Sequence, residues 1–186
     1  MIDRNFVLNL AHEDSDTNEY IMSLYNVPKQ IGAKTIVEIG AGRSTFALVA
    51  AANETGGYVT SIDIGGRDTL NRVNNGARLM ESEKRFTMIT GSSLDQPENS
   101  FPDNIDFFFW DSEHTLDLSR NEIARWFPIV RKGGVIMVHD VCHESPDKQG
   151  ARTALDEFLS SDSGKDYRAI FLLDTKIIGM AIIIKL

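Results

Sequence analysis

The sequence predicts an α/β fold: a mostly parallel seven-stranded sheet with helices on both faces, closed by an antiparallel C-terminal hairpin. Three observations carry this. Short apolar runs rich in β-branched residues alternate with helical patterns from Lys34 to Leu159. The run Thr35-Ile36-Val37-Glu38-Ile39 breaks at Gly40 and Gly42 and resumes as Phe46, Leu48, Val49 and an alanine run, so strand, glycine turn and helix follow one another. The last two apolar runs, 167–173 and 177–184, are joined only by Asp174-Thr175-Lys176. Strands that close in sequence must pair antiparallel, because a parallel pair needs a long crossover.

In chain order, residues 1 to about 15 are polar without a clear period and read as a loose arm in which His12 is solvated. Tyr20, Ile21, Leu24, Tyr25, Val27 and Ile31 recur at helical spacing, which places a helix within 16–31. A strand buried on both faces follows at 34–40, then a helix near 44–53. Gly56-Gly57 turns the chain into the strand Tyr58–Ile62, which ends at Asp63, and Asp68 could cap a helix carrying Leu70, Val73, Ala77 and Met80. Strands are expected at 85–89 and 105–110. Ser119 and Glu122 have capping-box spacing ahead of a helix with Ile123, Trp126, Phe127 and Val130. Gly133-Gly134 would stop that helix before a fifth strand at 135–138, and Ala151, Ala154, Leu155, Phe158 and Leu159 mark a last amphipathic helix. The whole reads as a single domain over 1–186, with an N-terminal arm and helix over 1–33 and a ligand-binding core over 34–186.

Composition narrows the function. A chain of 186 residues is long enough for one domain with a sizeable core. Its net charge of -8 argues against a nucleic-acid partner or an acidic membrane surface. No run approaches the ~18 apolar residues that span a bilayer, and Met-Ile-Asp-Arg-Asn does not open a signal peptide; a cytoplasmic location is the expectation. Cys142 is the single cysteine, which excludes an internal disulfide and a cysteine zinc site and leaves it as a small buried filler.

In a doubly wound sheet, ligands bind beyond the carboxyl ends of the strands. Glu38, Asp63, Ser92-Ser93, Asp111 and His139-Asp140 all fall there. A carboxylate at the end of a buried strand needs hydrogen bonds or a cation, and Glu38 would repel a diphosphate in the same turn. The turn therefore suits a nucleoside-type ligand that carries positive charge. Asp63 follows Gly42 at close to the ~20-residue interval of a carboxylate that holds a ribose diol. Against these readings stand structural ones: Asp63 as a turn-former before Gly65-Gly66, and Glu38 as a buried partner of Arg43.

The series Val37-Glu38-Ile39-Gly40-Ala41-Gly42, Ser61-Ile62-Asp63, Gly91-Ser92-Ser93, Phe109-Trp110-Asp111 and Val130-Arg131-Lys132-Gly133-Gly134 resembles the class I S-adenosylmethionine (SAM)-dependent methyltransferases. The resemblance covers residues 34–186, including the final hairpin that separates this Rossmann-like fold from NAD-binding domains. Within the class, Asp111-Ser112-Glu113-His114 and His139-Asp140-Val141 resemble small-molecule O-methyltransferases of the macrocin-type group. The resemblance implies SAM as cofactor and a small-molecule acceptor methylated on a hydroxyl. It places Gly40, Ala41 and Gly42 against the methionine part, with Ser44 and Thr45 at the helix start, and Glu38 on the amino group through water. Asp63 and Ile64 would meet the ribose and its neighbourhood, Ser92, Ser93 and Leu94 would border the adenine, and Asp111 would sit beside the sulfonium. In metal-dependent members, positions matching Asp111, His139 and Asp140 hold Mg2+ or another divalent ion, and His114 matches a general base, with His143 able to replace it.

Two departures qualify the match. Ser44 stands where many members carry a third glycine, and no acidic residue follows Gly91 to face the adenine. Histidine at 139 suits a softer ion than Mg2+, or else it caps a strand end with no metal; His114 has a structural reading as a helix N-terminal residue. A nicotinamide oxidoreductase would require glycine where Thr45 stands, whereas a non-catalytic SAM-binding module would tolerate loss of Asp111, His114 and Asp140. The apolar final strands would leave an exposed sheet edge that a homo-oligomer covers.

Overall fold

A computed structural model of the chain describes residues 2–12, 18–72, 79, 84–96, 101, 104–113, 115–142, 149–172 and 179–186. Strand β1 (Thr35–Ile39) lies at the centre of the sheet, parallel to β2 (Tyr58–Asp63) on one side and β4 (Ile105–Trp110) on the other. Beyond β2 lies β3 (Phe86–Thr90), and beyond β4 lies β5 (Val130–His139), both parallel to their neighbours. The chain then reverses: β7 (Met180–Lys185) pairs antiparallel with β5, and β6 (Tyr167–Leu172) closes the far edge. The order is β3-β2-β1-β4-β5-β7-β6, a mostly parallel seven-stranded sheet with the expected antiparallel hairpin.

Alternation along the strands divides the core in two. Ile36, Val59, Phe107, Phe109, Val135 and Met137 face one layer, while Val37, Ile62, Phe108, Trp110, Ile136 and Val138 face the other. The first layer is covered by α3 (Arg43–Thr55), on which every residue from Ser44 to Ala52 is buried. A helix buried all round needs a cover on its outer side. α1 (Arg4–Leu10) and α2 (Asn18–Gln30) supply it. The second layer is covered by α5 (Leu116–Trp126) and α6 (Gly150–Ser160), which pack on each other.

Three expectations are corrected. The N-terminal arm is not loose. Asp3 Oδ1 accepts from Phe6 N at 3.0 Å and caps α1; Ile2, Val7 and Leu10 are buried, and the Phe6 ring lies 5.1 Å from that of Phe46. Ser119 and Glu122 do not form a capping box, since α5 begins at Leu116 after an extended Thr115, so both lie inside the helix and face inward. Nor does Gly133-Gly134 stop a helix. α5 ends at Trp126, a 3-10 turn with Pro128 follows, and β5 is already running at Val130. Proline cannot extend the helical hydrogen bonding. The glycines instead occupy the bulge between the Ile105–Val130 and Phe107–Val135 pairs, where Gly133 has φ +72°.

The sheet's two ends have different tasks. At the amino end, Asp106 accepts from the backbone N–H of Lys34 at 2.7 Å and of Thr35 at 2.8 Å, and from Arg131 Nε. Burial opposes ionisation of this carboxyl, but Arg131 and the two N–H groups hold it below the usual carboxylate range. That end is tied shut, and the carboxyl end is where the polar groups open to a ligand. Helix α4 (Arg67–Arg72) starts at that end, after β2. Val73, Ala77 and Met80, placed on its helix by spacing, lie outside the described residues, as do His114, His143 and Asp174-Thr175-Lys176. None of the described helices is long and apolar enough to cross a membrane.

Candidate active site

Gly40 fixes how closely the strand ends approach. Its φ is +84°, and a Cβ there would fall 1.9 Å from the backbone oxygen of Asp111. With no side chain in the way, Gly40 N donates to Ile62 O at 2.9 Å, and Asp111 N donates to Ile39 O at 2.9 Å. Asp111 is thereby pinned to the end of β1. Gly42 has open space around its Cα, and the N-terminus of α3 follows it directly. The N–H groups of Gly40, Ala41 and Gly42 already donate to Ile62 O, Asp63 Oδ2 and Thr45 Oγ1, so the turn offers a ligand close approach and the dipole of α3.

Beneath the turn, Glu38 is fully buried and pointed at α3. Ser44 Oγ donates to it at 2.5 Å and Thr45 Oγ1 at 2.7 Å; Ser61 Oγ donates as well. Ser44 and Thr45 therefore turn their hydroxyls inward. Burial pushes the Glu38 pKa up to about 7, the three hydroxyls pull against that, and the nearby Asp111 charge adds to it.

Asp63 ends β2. Its Oδ1 accepts from Gly65 N at 2.7 Å, Gly66 N at 3.0 Å and Thr69 Oγ1 at 2.7 Å, so the turn-former reading is correct for that oxygen. Among the described residues Oδ2 has a single long bond, from Ala41 N at 3.2 Å, which leaves it acceptor capacity. Ile64 beside it is 81% exposed. At the end of β3, Ser92 Oγ accepts from Leu94 N at 3.2 Å, and Ser93 Oγ donates to Glu122.

The third cluster joins β4 to β5. His139 is 3% exposed, and its Nδ1 lies 2.9 Å from Asp140 Oδ1 and 3.4 Å from Asp111 Oδ1. Burial lowers the pKa of this imidazole, but the two carboxylates outweigh burial and push it up to about 10. Its Nε2 is buried without a hydrogen-bond partner among the described residues, and Tyr20 of α2 meets the ring edge-on at 5.9 Å. Asp140 holds its place with φ +59°, a left-handed backbone that is uncommon outside glycine.

One cleft, with about 580 Å³ of empty space including its mouth, gathers much of this. Gly40, Asp63, Ile64, Ser92, Ser93 and Asp111, all named from the sequence, line it. His139 and Asp140 are brought to it through Asp111. Glu113, Leu118 and Glu122 also line it and were not foreseen. Glu122 could have been suspected from its place on the apolar face of α5, between Ser119 and Ile123 and one turn before Trp126. A carboxylate there must have a polar partner.

A family model described as a methyltransferase domain matches residues 37–141, more than half of the 186-residue chain. The chain belongs to this methyltransferase family. The methyltransferase is similar to an O-methyltransferase from Bacillus cereus in complex with S-adenosylhomocysteine (SAH), at 21% identity and TM-score 0.69, covering 98% of this chain and 87% of that one. It is also similar to TomG from Streptomyces achromogenes, an O-methyltransferase of tomaymycin synthesis in complex with SAM, at 19% identity, TM-score 0.66 and 99% and 95% coverage. A third similar structure is the SAH-bound methyltransferase PaMTH1 of Podospora anserina, at 15% identity, TM-score 0.68 and 94% and 80% coverage. At these identities the likeness is one of fold, that of the class I SAM-dependent methyltransferases. No curated protein matches the methyltransferase.

Proposed function

We propose that this methyltransferase transfers the methyl group of SAM to a hydroxyl of a small-molecule acceptor. One observation carries the cofactor reading. The cleft is lined by the carboxylates of Asp63, Asp111, Glu113 and Glu122, with no lysine or arginine among the described residues that line it. A diphosphate would be repelled there, while a ligand with positive charge is favoured. SAM supplies such a ligand, with a methyl-bearing sulfonium and an ammonium group.

In this reading Asp63 Oδ2 accepts from the ribose hydroxyls while Oδ1 keeps the turn rigid. The open backbone at Gly42 lets the methionine part approach α3, and buried Glu38, held by Ser44, Thr45 and Ser61, fixes the turn beneath it. Asp111, pinned by its backbone to β1, faces the sulfonium and the incoming acceptor. Methyl transfer is an in-line displacement, so the protein chiefly aligns two reactants and takes up a hydroxyl proton. His114, three residues beyond Asp111, is assigned the proton on the strength of its place in the sequence.

The donor set of Asp111, His139 and Asp140 suits a divalent cation. One ligand atom from each lies within 4.8 Å of the others, and the two carboxylates with one imidazole fit Mn2+, Fe2+ or Zn2+ as well as Mg2+. Such an ion would polarise the acceptor oxygen, and His139 would have to release its proton to bind it. A cytoplasmic location, a role without nucleic acid or membrane, and a homo-oligomer formed over the β6 edge complete the reading.

The test is methyl transfer from labelled SAM to a panel of small hydroxylated acceptors, with Mg2+, Mn2+ or a chelator. We expect turnover that His114→Ala lowers by about a hundredfold or more, in the range of lost acid–base catalysis. Turnover unaffected by His114→Ala would remove the histidine from the mechanism; turnover unaffected by the chelator would remove the metal.

A further inference from the structure

Glu122 reaches the cleft from α5 and is 2% exposed. Its Oε1 accepts from Ser93 Oγ, and its Oε2 accepts from Trp110 Nε1 at 2.7 Å and from Ser112 Oγ at 2.5 Å. Trp110 Nε1 donates to Ser112 Oγ too, at 2.8 Å. The consequence is one of direction. A serine hydroxyl has one hydrogen and two acceptor sites. Ser93 and Ser112 both line the cleft, and both commit their hydrogen to Glu122. Towards a ligand they present lone pairs only.

We propose that Glu122, acting through Ser93, sets the nucleobase preference of the cleft, so that a 6-amino purine is accepted and its 6-oxo counterpart is refused. The inference rests on the SAM reading above and adds a positioning residue to it. Of the residues lining the cleft, Ile64 and Leu118 would hold the faces of the base and Ser93 would meet its exocyclic group. An amino group offers N–H donors to the serine lone pairs, whereas a carbonyl sets oxygen against oxygen and leaves buried polar groups unpaired. The chain has a serine, Ser92, directly after Gly91, where the resembled family carries an acidic residue that faces the adenine. The negative charge for this edge comes instead from α5, one hydroxyl removed.

The substitution Glu122→Gln makes a sharp prediction. Trp110 Nε1 can only donate, so it keeps the new amide oxygen on its own side and turns the amide nitrogen towards Ser93. Ser93 then accepts, and its hydrogen is released to the cleft, where it suits a carbonyl.

The experiment is calorimetric titration with SAH and with S-inosylhomocysteine, its 6-oxo analogue. Wild type is expected to bind SAH tighter by about tenfold or more, and Glu122→Gln to bring the two within about threefold or to reverse them. Ser93→Ala, which removes only the mediating hydroxyl, is expected to lose the preference as well, and adding Glu122→Gln to it to change the ratio no further. A purely structural Glu122 would weaken both ligands by the same factor and leave the ratio intact; that result overturns the proposal. So does equal binding of the two ligands by wild type. Failure of SAH to bind wild type at all overturns the SAM reading and this inference with it.

Discussion

Glu38 is held by Ser44, Thr45 and Ser61 in a fully buried site, and burial lifts its pKa from the ordinary 4.5 to about 7. Between those two values the native chain keeps a proton that the unfolded chain has released. The Glu38 contribution to stability must therefore fall as pH rises from 4.5 to about 7, by roughly 3 kcal/mol, and level off above, while His139, held protonated up to about 10, adds a decline of its own above about 6.5. Glu38→Gln removes the ionisation while keeping the shape. We expect thermal melts from pH 4.5 to 7.5 to show a falling midpoint in wild type and a much flatter one in the variant. An unchanged slope would mean that Glu38 is ionised throughout that range in the folded chain. At this scale the sequence was legible where a residue type is forced by its surroundings. A glutamate ending a buried strand had to be satisfied, and the nearby hydroxyls satisfy it. Glu122 was read as part of a helix cap and not as a cleft residue because its partners Ser93, Trp110 and Ser112 come from the ends of other strands, so no local spacing reveals them.

Elements were legible when their period was long. The central strands β1 and β4 and helix α3 stood out because each is buried on both sides, and the antiparallel ending followed from a turn too short for a crossover. Helix α1 was missed although Ile2, Phe6 and Leu10 recur every fourth residue; over seven helical residues that pattern is thin, and contact with Phe46 of α3 rather than local propensity holds it. The start of α5 was misplaced because Ser119 and Glu122 mimic a cap while serving the interior. Strand β6 raises a separate expectation. Ile170 is 63% exposed, and Leu172 on the same face and Ile184 on β7 are both 41% exposed, and β6 is the last strand of the described sheet. We expect light scattering to give the mass of a homo-oligomer, and Ile170→Lys to shift it to a monomer. A monomeric wild type would show that this edge is tolerated bare.

Across the whole molecule, function is divided between the ends of one sheet. Asp106 and Arg131 lock the amino ends of β1, β4 and β5, and the carboxyl ends carry Glu38, Asp63, Asp111, His139 and Asp140. The central claim is that the acidic cleft at the carboxyl ends holds SAM, with Asp63 as its ribose anchor. The direct measurement is calorimetric titration of the purified chain with SAH, in parallel with NADH, for wild type and Asp63→Ala. The account predicts that SAH binds, that Asp63→Ala weakens it about tenfold or more, and that NADH does not bind. NADH binding without SAH binding would contradict it.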